Sequence, residues 1–360
     1  MRDFRELFKL MVKKEASDMY LRTKATPRAR IMGKVEEISF EPITKDEMSS
    51  LTNFLLASEQ RKKKFLEEHD IDFIYEEPNV GRFRINIFEQ RGTAAVVARH
   101  VHTHAETFEQ LNLPVDLCKM FCEEAKGLFL ICGPAGNGKS TASASMIEYV
   151  NQTSSKHIIT IEDPIEFLFE DKKSIINQRE LGIDVPSYIS ALKHVTQQSP
   201  DIMYIGNIRD IDTMKAAITA TELGVFVITN FHTVNAVQTI TRIINFFPPH
   251  LHDEVRMQLS MILKGSICLR LLPRKDGAGR IPAYETMVVT PTISSLIREG
   301  NIQAIQQYID EGNLFGMQSF KQSLVKLVQS GVVDVDEARH LSDSKDEFDL
   351  AMKGIRSKFE

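Results

Sequence analysis

Leu128-Phe129-Leu130-Ile131-Cys132-Gly133-Pro134-Ala135-Gly136-Asn137-Gly138-Lys139-Ser140-Thr141 joins an apolar run to the pattern GxxxxGK[ST], and a helix-forming run, Thr141 to Val150, follows. Strand before and helix after are the context this motif requires. Glycines let successive backbone N–H groups turn inward around phosphate oxygens, and the positive end of the helix dipole points at the same place. Gly133, Pro134, Ala135, Gly136, Asn137, Gly138, Lys139, Ser140 and Thr141 are therefore the candidate nucleotide-binding residues. Lys139 is expected to reach the β- and γ-phosphates of ATP, and the Ser140 hydroxyl to complete the shell of a nucleotide-bound Mg²⁺.

Around that motif the second half of the chain alternates short apolar runs with helical stretches: Leu128 to Cys132, Ile158 to Ile161, Ile202 to Ile205, Val225 to Thr229 and Ile267 to Leu272. Apolar runs of this kind suit a mainly parallel sheet covered on both faces, an α/β architecture. The first half differs. Phe4, Leu7, Phe8 and Met11 recur at helical spacing within Asp3 to Glu15. Alternating segments follow at Met19 to Arg22, Arg30 to Val35, Asp70 to Tyr75, Gly81 to Phe88 and Ala94 to His100, so a small α+β module is expected. The boundaries predicted are a first domain over 1–104, a linker over 105–113 and the nucleotide domain over 114–360.

Composition excludes several classes. A formal net charge of -5 over 360 residues gives no basic field to hold phosphates of nucleic acid. No apolar run is long enough to span a bilayer, and the start of the chain lacks the pattern of a signal peptide. Cys118, Cys122, Cys132 and Cys268 form no CxxC pair, which suits reduced thiols in a cytoplasmic protein. Cys118 and Cys122, at i and i+4, read as helix packing. The run Arg61-Lys62-Lys63-Lys64 reads as a solvated helix face. His100, His102 and His104 alternate and so share a face in an extended segment, but they lack the accompanying Cys or carboxylate of a firm metal signature.

Chemistry is expected at two more strand ends. Thr160-Ile161-Glu162-Asp163-Pro164-Ile165-Glu166 places three carboxylates beyond a buried strand, where ligands of open α/β sheets bind. Ser199-Pro200-Asp201-Ile202-Met203-Tyr204-Ile205-Gly206-Asn207 has the body of a Walker B strand with an amide at its tip.

In the order GPAGNGKST, TIEDPIE, SPDIMYIGNIRD and NFHT the chain resembles the secretion ATPase superfamily, and within it the PilT/PilU branch of twitching-motility ATPases. Gly81-Arg82-Phe83-Arg84, Gln178-Arg179-Glu180-Leu181-Gly182, Leu296-Ile297-Arg298-Glu299-Gly300 and Gly316-Met317-Gln318 extend the likeness nearly end to end; the tail, Glu337 to Arg356, is more similar to PilU. The resemblance implies a PAS-like N-terminal domain followed by a RecA-like ATPase domain, assembled as a homo-hexamer at the inner face of the cytoplasmic membrane. It implies pilus retraction coupled to ATP hydrolysis, with a pilus inner-membrane platform protein and a paralogous retraction ATPase as partners. Its catalytic positions fall on Glu162, Glu166, His232, Arg82, Arg84 and Arg99. The chain departs from the family at Asn207, where a Glu is usual, at Gln197, near a usual Arg, at Val225, where a first His is usual, and at Leu269-Arg270, where the family is Gln-rich. Those departures leave a slow ATPase and a catalytically impaired accessory ring as the two readings.

Overall fold

The computed structural model describes residues 3–31, 33–38 and 41–354, apart from the side chains at positions 194 and 196. Two compact units are present, residues 1–104 with 166–168, and residues 105–165 with 169–360.

The first unit runs α1 (Arg5–Lys13), β1 (Asp18–Arg22), β2 (Arg28–Ile31), β3 (Lys34–Glu37), α2 (Lys45–Leu55), α3 (Glu59–Glu68), β4 (Asp70–Glu77), β5 (Gly81–Gln90) and β6 (Thr93–Val101). Its strands form one antiparallel sheet in the order β3-β2-β1-β6-β5-β4. Alternation in β5 sends Phe83, Ile85 and Ile87 into a core shared with Leu7, Phe8 and Met11 of α1. Arg82 and Arg84 lie on the opposite face. The single strand expected over Arg30 to Val35 is instead a hairpin of β2 and β3. Gly33, at φ 84°, makes the reversal that the alternation conceals; Met32 lies outside the described residues. The basic run sits on α3, where Lys62, Lys63 and Lys64 pair with Glu59, Glu67 and Glu68, and Arg61 lies over the Phe73 ring at 4.3 Å.

The second unit contains α4 (Val115–Cys122), β7 (Gly127–Cys132), α5 (Lys139–Thr153), β8 (His157–Glu162), β9 (Ile175–Glu180), α6 (Tyr188–Val195), β10 (Ile202–Ile205), α7 (Ile211–Glu222), β11 (Phe226–Phe231), α8 (Ala236–Asn245), α9 (His252–Ile262), β12 (Leu263–Pro273) and β13 (Arg280–Val288). Five helices close it: α10 (Pro291–Glu299), α11 (Ile305–Glu311), α12 (Phe320–Gln329), α13 (Val335–Leu341) and α14 (Lys345–Met352). Residues 355–360, the end of the tail, lie outside the described residues. The sheet order is β13-β12-β7-β11-β10-β8-β9, parallel throughout except for the β12–β13 pair. Both faces are buried. Leu128, Leu130 and Cys132 share a core with residues of α7, α8 and α9, while Phe129 and Ile131 share another with α4 and α5. Residues 105–113, expected as a linker, pack Phe108 and Leu113 into that second core, and the Phe108 ring lies tilted against Tyr149 of α5 with centroids 5.3 Å apart. Cys118 and Cys122 are buried there as well, and burial pushes the Cys118 thiol up to about 12. Among the described residues no helix is long and apolar enough to cross a membrane.

Candidate nucleotide-binding site

The loop between β7 and α5 is built by close approach. Gly133, at φ 147°, lies so near β12 that a Cβ would stand 2.6 Å from the Leu269 carbonyl oxygen. Gly138, at φ 83°, caps α5, and the amides of Lys139, Ser140 and Thr141 precede the first intrahelical partner, which Ala142 finds at 2.9 Å on Gly138. Three N–H groups thus open toward the loop at the positive end of the helix. Asn137 works as a staple: its Oδ1 accepts from Leu271 N of β12 at 2.7 Å, and its Nδ2 donates to the Pro134 and Ala135 carbonyls at 3.4 Å. Gly133→Ala should cost about 2–4 kcal/mol of stability, from overpacking and a strained φ together. Gly136→Ala, at φ 77° with nothing within 4 Å of its Cβ, should cost only about 1–2 kcal/mol. Denaturant melts of the two variants check the difference.

Lys139 is buried. Its Nζ donates to the Gly133 and Pro134 carbonyls at 2.7 and 2.9 Å and stands 3.2 Å from His232 Nδ1. An ammonium only donates, so Nδ1 is the acceptor and the imidazole proton sits on Nε2. Burial, with Lys139, Arg209 and Arg242 nearby, holds the His232 pKa below its ordinary 6.5.

Strand order sets the rest in line. β7, β11, β10 and β8 are consecutive neighbours, so their C-terminal ends present Gly133, His232, Asn207 and Glu162 along one edge of the sheet. Glu162 is buried and accepts from Thr160 Oγ1 at 2.6 Å and Gln178 Nε2 at 3.3 Å. Gly206 brings β10 against it, since a Cβ there would stand 3.3 Å from Glu162 Cα. Asn207 is only 8% exposed, and neither atom of its carboxamide has a hydrogen-bond partner among the described residues. An orphaned buried amide at the tip of this strand, beside a carboxylate and a phosphate-type cradle, fits a hydrated cation bound with a nucleotide.

The other expected residues lie in the first unit. Arg84 and Arg99 face each other across β5 and β6; Arg84 pairs with Asp72, and Arg99 with Asp18 at 2.9 Å. Arg82, half-buried on the same face, is in register with Glu76. Glu166, expected beside Glu162, groups with the first unit because its carbonyl accepts from His102 N at 3.0 Å. The His100 and His102 rings touch at 5.0 Å, and burial lowers the His100 pKa to about 4. Among the described residues no group of His, Cys, Asp or Glu is placed to hold a metal ion.

The sequence assigns no role to two parts of the site. Asn230, buried in β11, binds Tyr204 Oη through Nδ2 at 2.8 Å, while its Oδ1 lies 2.8 Å from the Ser143 hydroxyl, itself 2.9 Å from the Lys139 carbonyl. The clue was a lone amide in an apolar strand. Behind the loop after His232, Glu285 Oε1 accepts from Ala236 N at 2.9 Å, and burial raises its pKa from 4.5 to about 7. A raised carboxyl contributes stability that is present in full below pH 4.5 and lost as pH rises toward 7. Glu285→Gln should remove that slope, worth on the order of 3 kcal/mol at most, and melting temperatures from pH 4 to 8 would show it.

A doubly covered parallel sheet with this loop at its carboxyl edge defines a P-loop nucleotide-binding protein. A family profile described as "Type II/IV secretion system protein" matches residues 2–274. Over 351 residues the chain is 35% identical to "Type IV pilus ATPase PilU" of Pseudomonas aeruginosa, covering 98% of this chain and 91% of that one. It is 37% identical to "Type IV pilus retractation ATPase PilT" of the same bacterium, covering 94% and 97%. The crystal structure of the pilus retraction motor PilT with bound ADP matches with a TM-score of 0.87 and 38% identity, over 96% of this chain and 99% of that one. The chain belongs to the type II/IV secretion ATPase family, within its PilT/PilU group of type IV pilus retraction ATPases.

Proposed function

We propose that this chain is a motor of the type IV pilus machinery that binds Mg-ATP at the β7–α5 loop, hydrolyses it slowly, and turns the hydrolysis into movements of a homo-hexameric ring that retract a pilus. The observation that carries the reading is the row of Lys139, His232, Asn207 and Glu162 along consecutive strand ends. Loop amides and Lys139 bind and orient the phosphates. Ser140 and Asn207 would hold the hydrated Mg²⁺, which when bound neutralises charge on the phosphate oxygens. Glu162 accepts a proton from the attacking water, and the Asn207 amide orients but cannot accept one. His232, neutral at Nδ1, takes a hydrogen bond from Lys139 and so can register where that ammonium points. Arg82, Arg84 and Arg99 would act on nucleotide in the ring, and the motor would work at the inner face of the membrane with a platform protein as its load. Light scattering of the nucleotide-bound chain at high concentration should give six copies; a monomer alone would count against the ring.

A second reading, an accessory ring that binds nucleotide and assists an active paralogous retraction ATPase, is favoured by the amide at position 207. A steady-state ATPase assay beside a Lys139→Ala control separates the two.

A further inference from the structure

We propose that the C-terminal helices α13 and α14 brace the His232 loop through Arg270, which makes Arg270 a positioning residue for the chemistry at that loop. Arg270 lies in β12 with its side chain 8% exposed. Its Nη1 donates to the Leu341 carbonyl at 2.8 Å, and its Nη2 to Asp343 Oδ1 at 2.8 Å and to the Val234 carbonyl at 3.4 Å. One guanidinium therefore ties the last carbonyl of α13 and the turn into α14 to the segment two residues beyond His232. Its plane lies 3.9 Å over the Phe320 ring of α12, which fixes the direction of the fork. A lysine has no such plane and would not serve acceptors on both sides at once.

The tail is itself anchored. Ala338 and Phe348 are fully buried in the core of the unit, and Lys321–Glu347 and Arg339–Asp349 pairs hold α14 at 2.9 and 3.0 Å. The loop is not. A cavity of about 750 Å³ opens beside it, lined by His232, Thr233, Val234 and Asn235 together with Arg242 and Gln306. Where a segment borders a cavity, packing holds it on fewer sides and its polar ties count for more. Among those ties, Arg270 on the Val234 carbonyl is the one that reaches the C-terminal helices, beside Glu285 on the Ala236 amide, the Thr233–Thr239 hydroxyl pair at 2.6 Å and Asn235 Oδ1, which accepts from Gln238 N at 2.8 Å. Loosening the first moves His232 relative to Lys139 without touching the phosphate cradle.

The catalytic consequence rests on the proposed ATPase reading, whereas the brace does not, so the test is run on the full chain without nucleotide. Hydrogen exchange is followed over residues 231–237 in Asp343→Ala and Arg270→Met. Exchange there should quicken about tenfold while β7 and β10 stay within about twofold of wild type. Asp343→Glu should restore protection. His232, titrated by NMR, should move up toward 6.5 in Asp343→Ala as it leaves Lys139, Arg209 and Arg242, a shift that a mere loss of stability would not cause. Asp343 is exposed, so that variant folds even where Arg270→Met does not. Unchanged exchange over 231–237 in Asp343→Ala, or equal quickening in β7 and β10, would overturn the brace.

Discussion

Replacing Lys139 by Ala is expected to raise the dissociation constant for Mg-ATP by about ten- to one-hundredfold, the loss of one charge-assisted contact worth roughly 1.5–3 kcal/mol. The cradle itself should survive. Asn137 still staples the loop to β12, and Gly133 and Gly138 keep their conformations, so melting temperature should change little. The variant also carries an internal control. Lys139 is one of the charges that depress the His232 pKa, and its removal should let that pKa rise toward 6.5. Calorimetry with Mg-ATP and an NMR titration of the imidazole read the two effects separately. Affinity within about twofold of wild type would show that the phosphates bind elsewhere.

Why this site was legible in sequence, and parts of it were not, follows from where each constraint acts. The loop could be read because steric need writes itself into neighbouring positions: Gly133 meets the Leu269 carbonyl and Gly138 turns the chain into α5. Strands β7, β8, β10, β11 and β12 were legible because a strand covered on both faces must be largely apolar. β9 was not. At the sheet edge its Ile-Ile-Asn-Gln-Arg-Glu is half exposed and has neither the apolar run nor clean alternation. β13 pairs antiparallel with β12, and its Pro282 and Glu285 break the apolar signal although most of the strand is buried. The β2–β3 hairpin was hidden for the opposite reason, since alternation ran on through Gly33.

Long-range chemistry was the least visible. Arg270 and Asp343 lie 73 positions apart, and no spacing rule connects them. In sequence the pair Leu269-Arg270 counted only as a departure from a family pattern. In the fold Leu269 closes over Gly133 and Arg270 gathers the tail, so the two neighbours serve the loop from different directions. Glu162 and Glu166 show the converse, since only three residues of sequence separate two positions that belong to different units.

The other large effect is expected at position 207. Asn207→Glu should raise the rate of ATP hydrolysis by about 10²–10⁴, the usual worth of a placed general base and roughly 3–5 kcal/mol of barrier. An amide matches the size of a carboxylate but cannot take a proton from water. Here the amide is buried, and neither of its atoms has a partner among the described residues, so a carboxylate placed there would meet no existing bond that it must break. Its cost is burial of a second charge beside Glu162, against which Gly206 holds the strand end closely. Like charges raise each other's pKa, so the gain should grow with pH and be smallest under acidic conditions. Glu162→Gln should abolish turnover in wild type, because Glu162 is the carboxylate in the row of strand-end residues. Both changes leave the glycine loop and Lys139 untouched and should alter ATP affinity far less than Lys139→Ala does. Steady-state rates over a range of pH, with calorimetric affinities beside them, make the comparison. If Asn207→Glu left the rate flat while wild type already turned over as a competent motor, position 207 would not limit the chemistry. If neither form hydrolysed ATP and both bound it tightly, the accessory ring would be the better account, with Gln197 and Val225 as the further positions that disable the site.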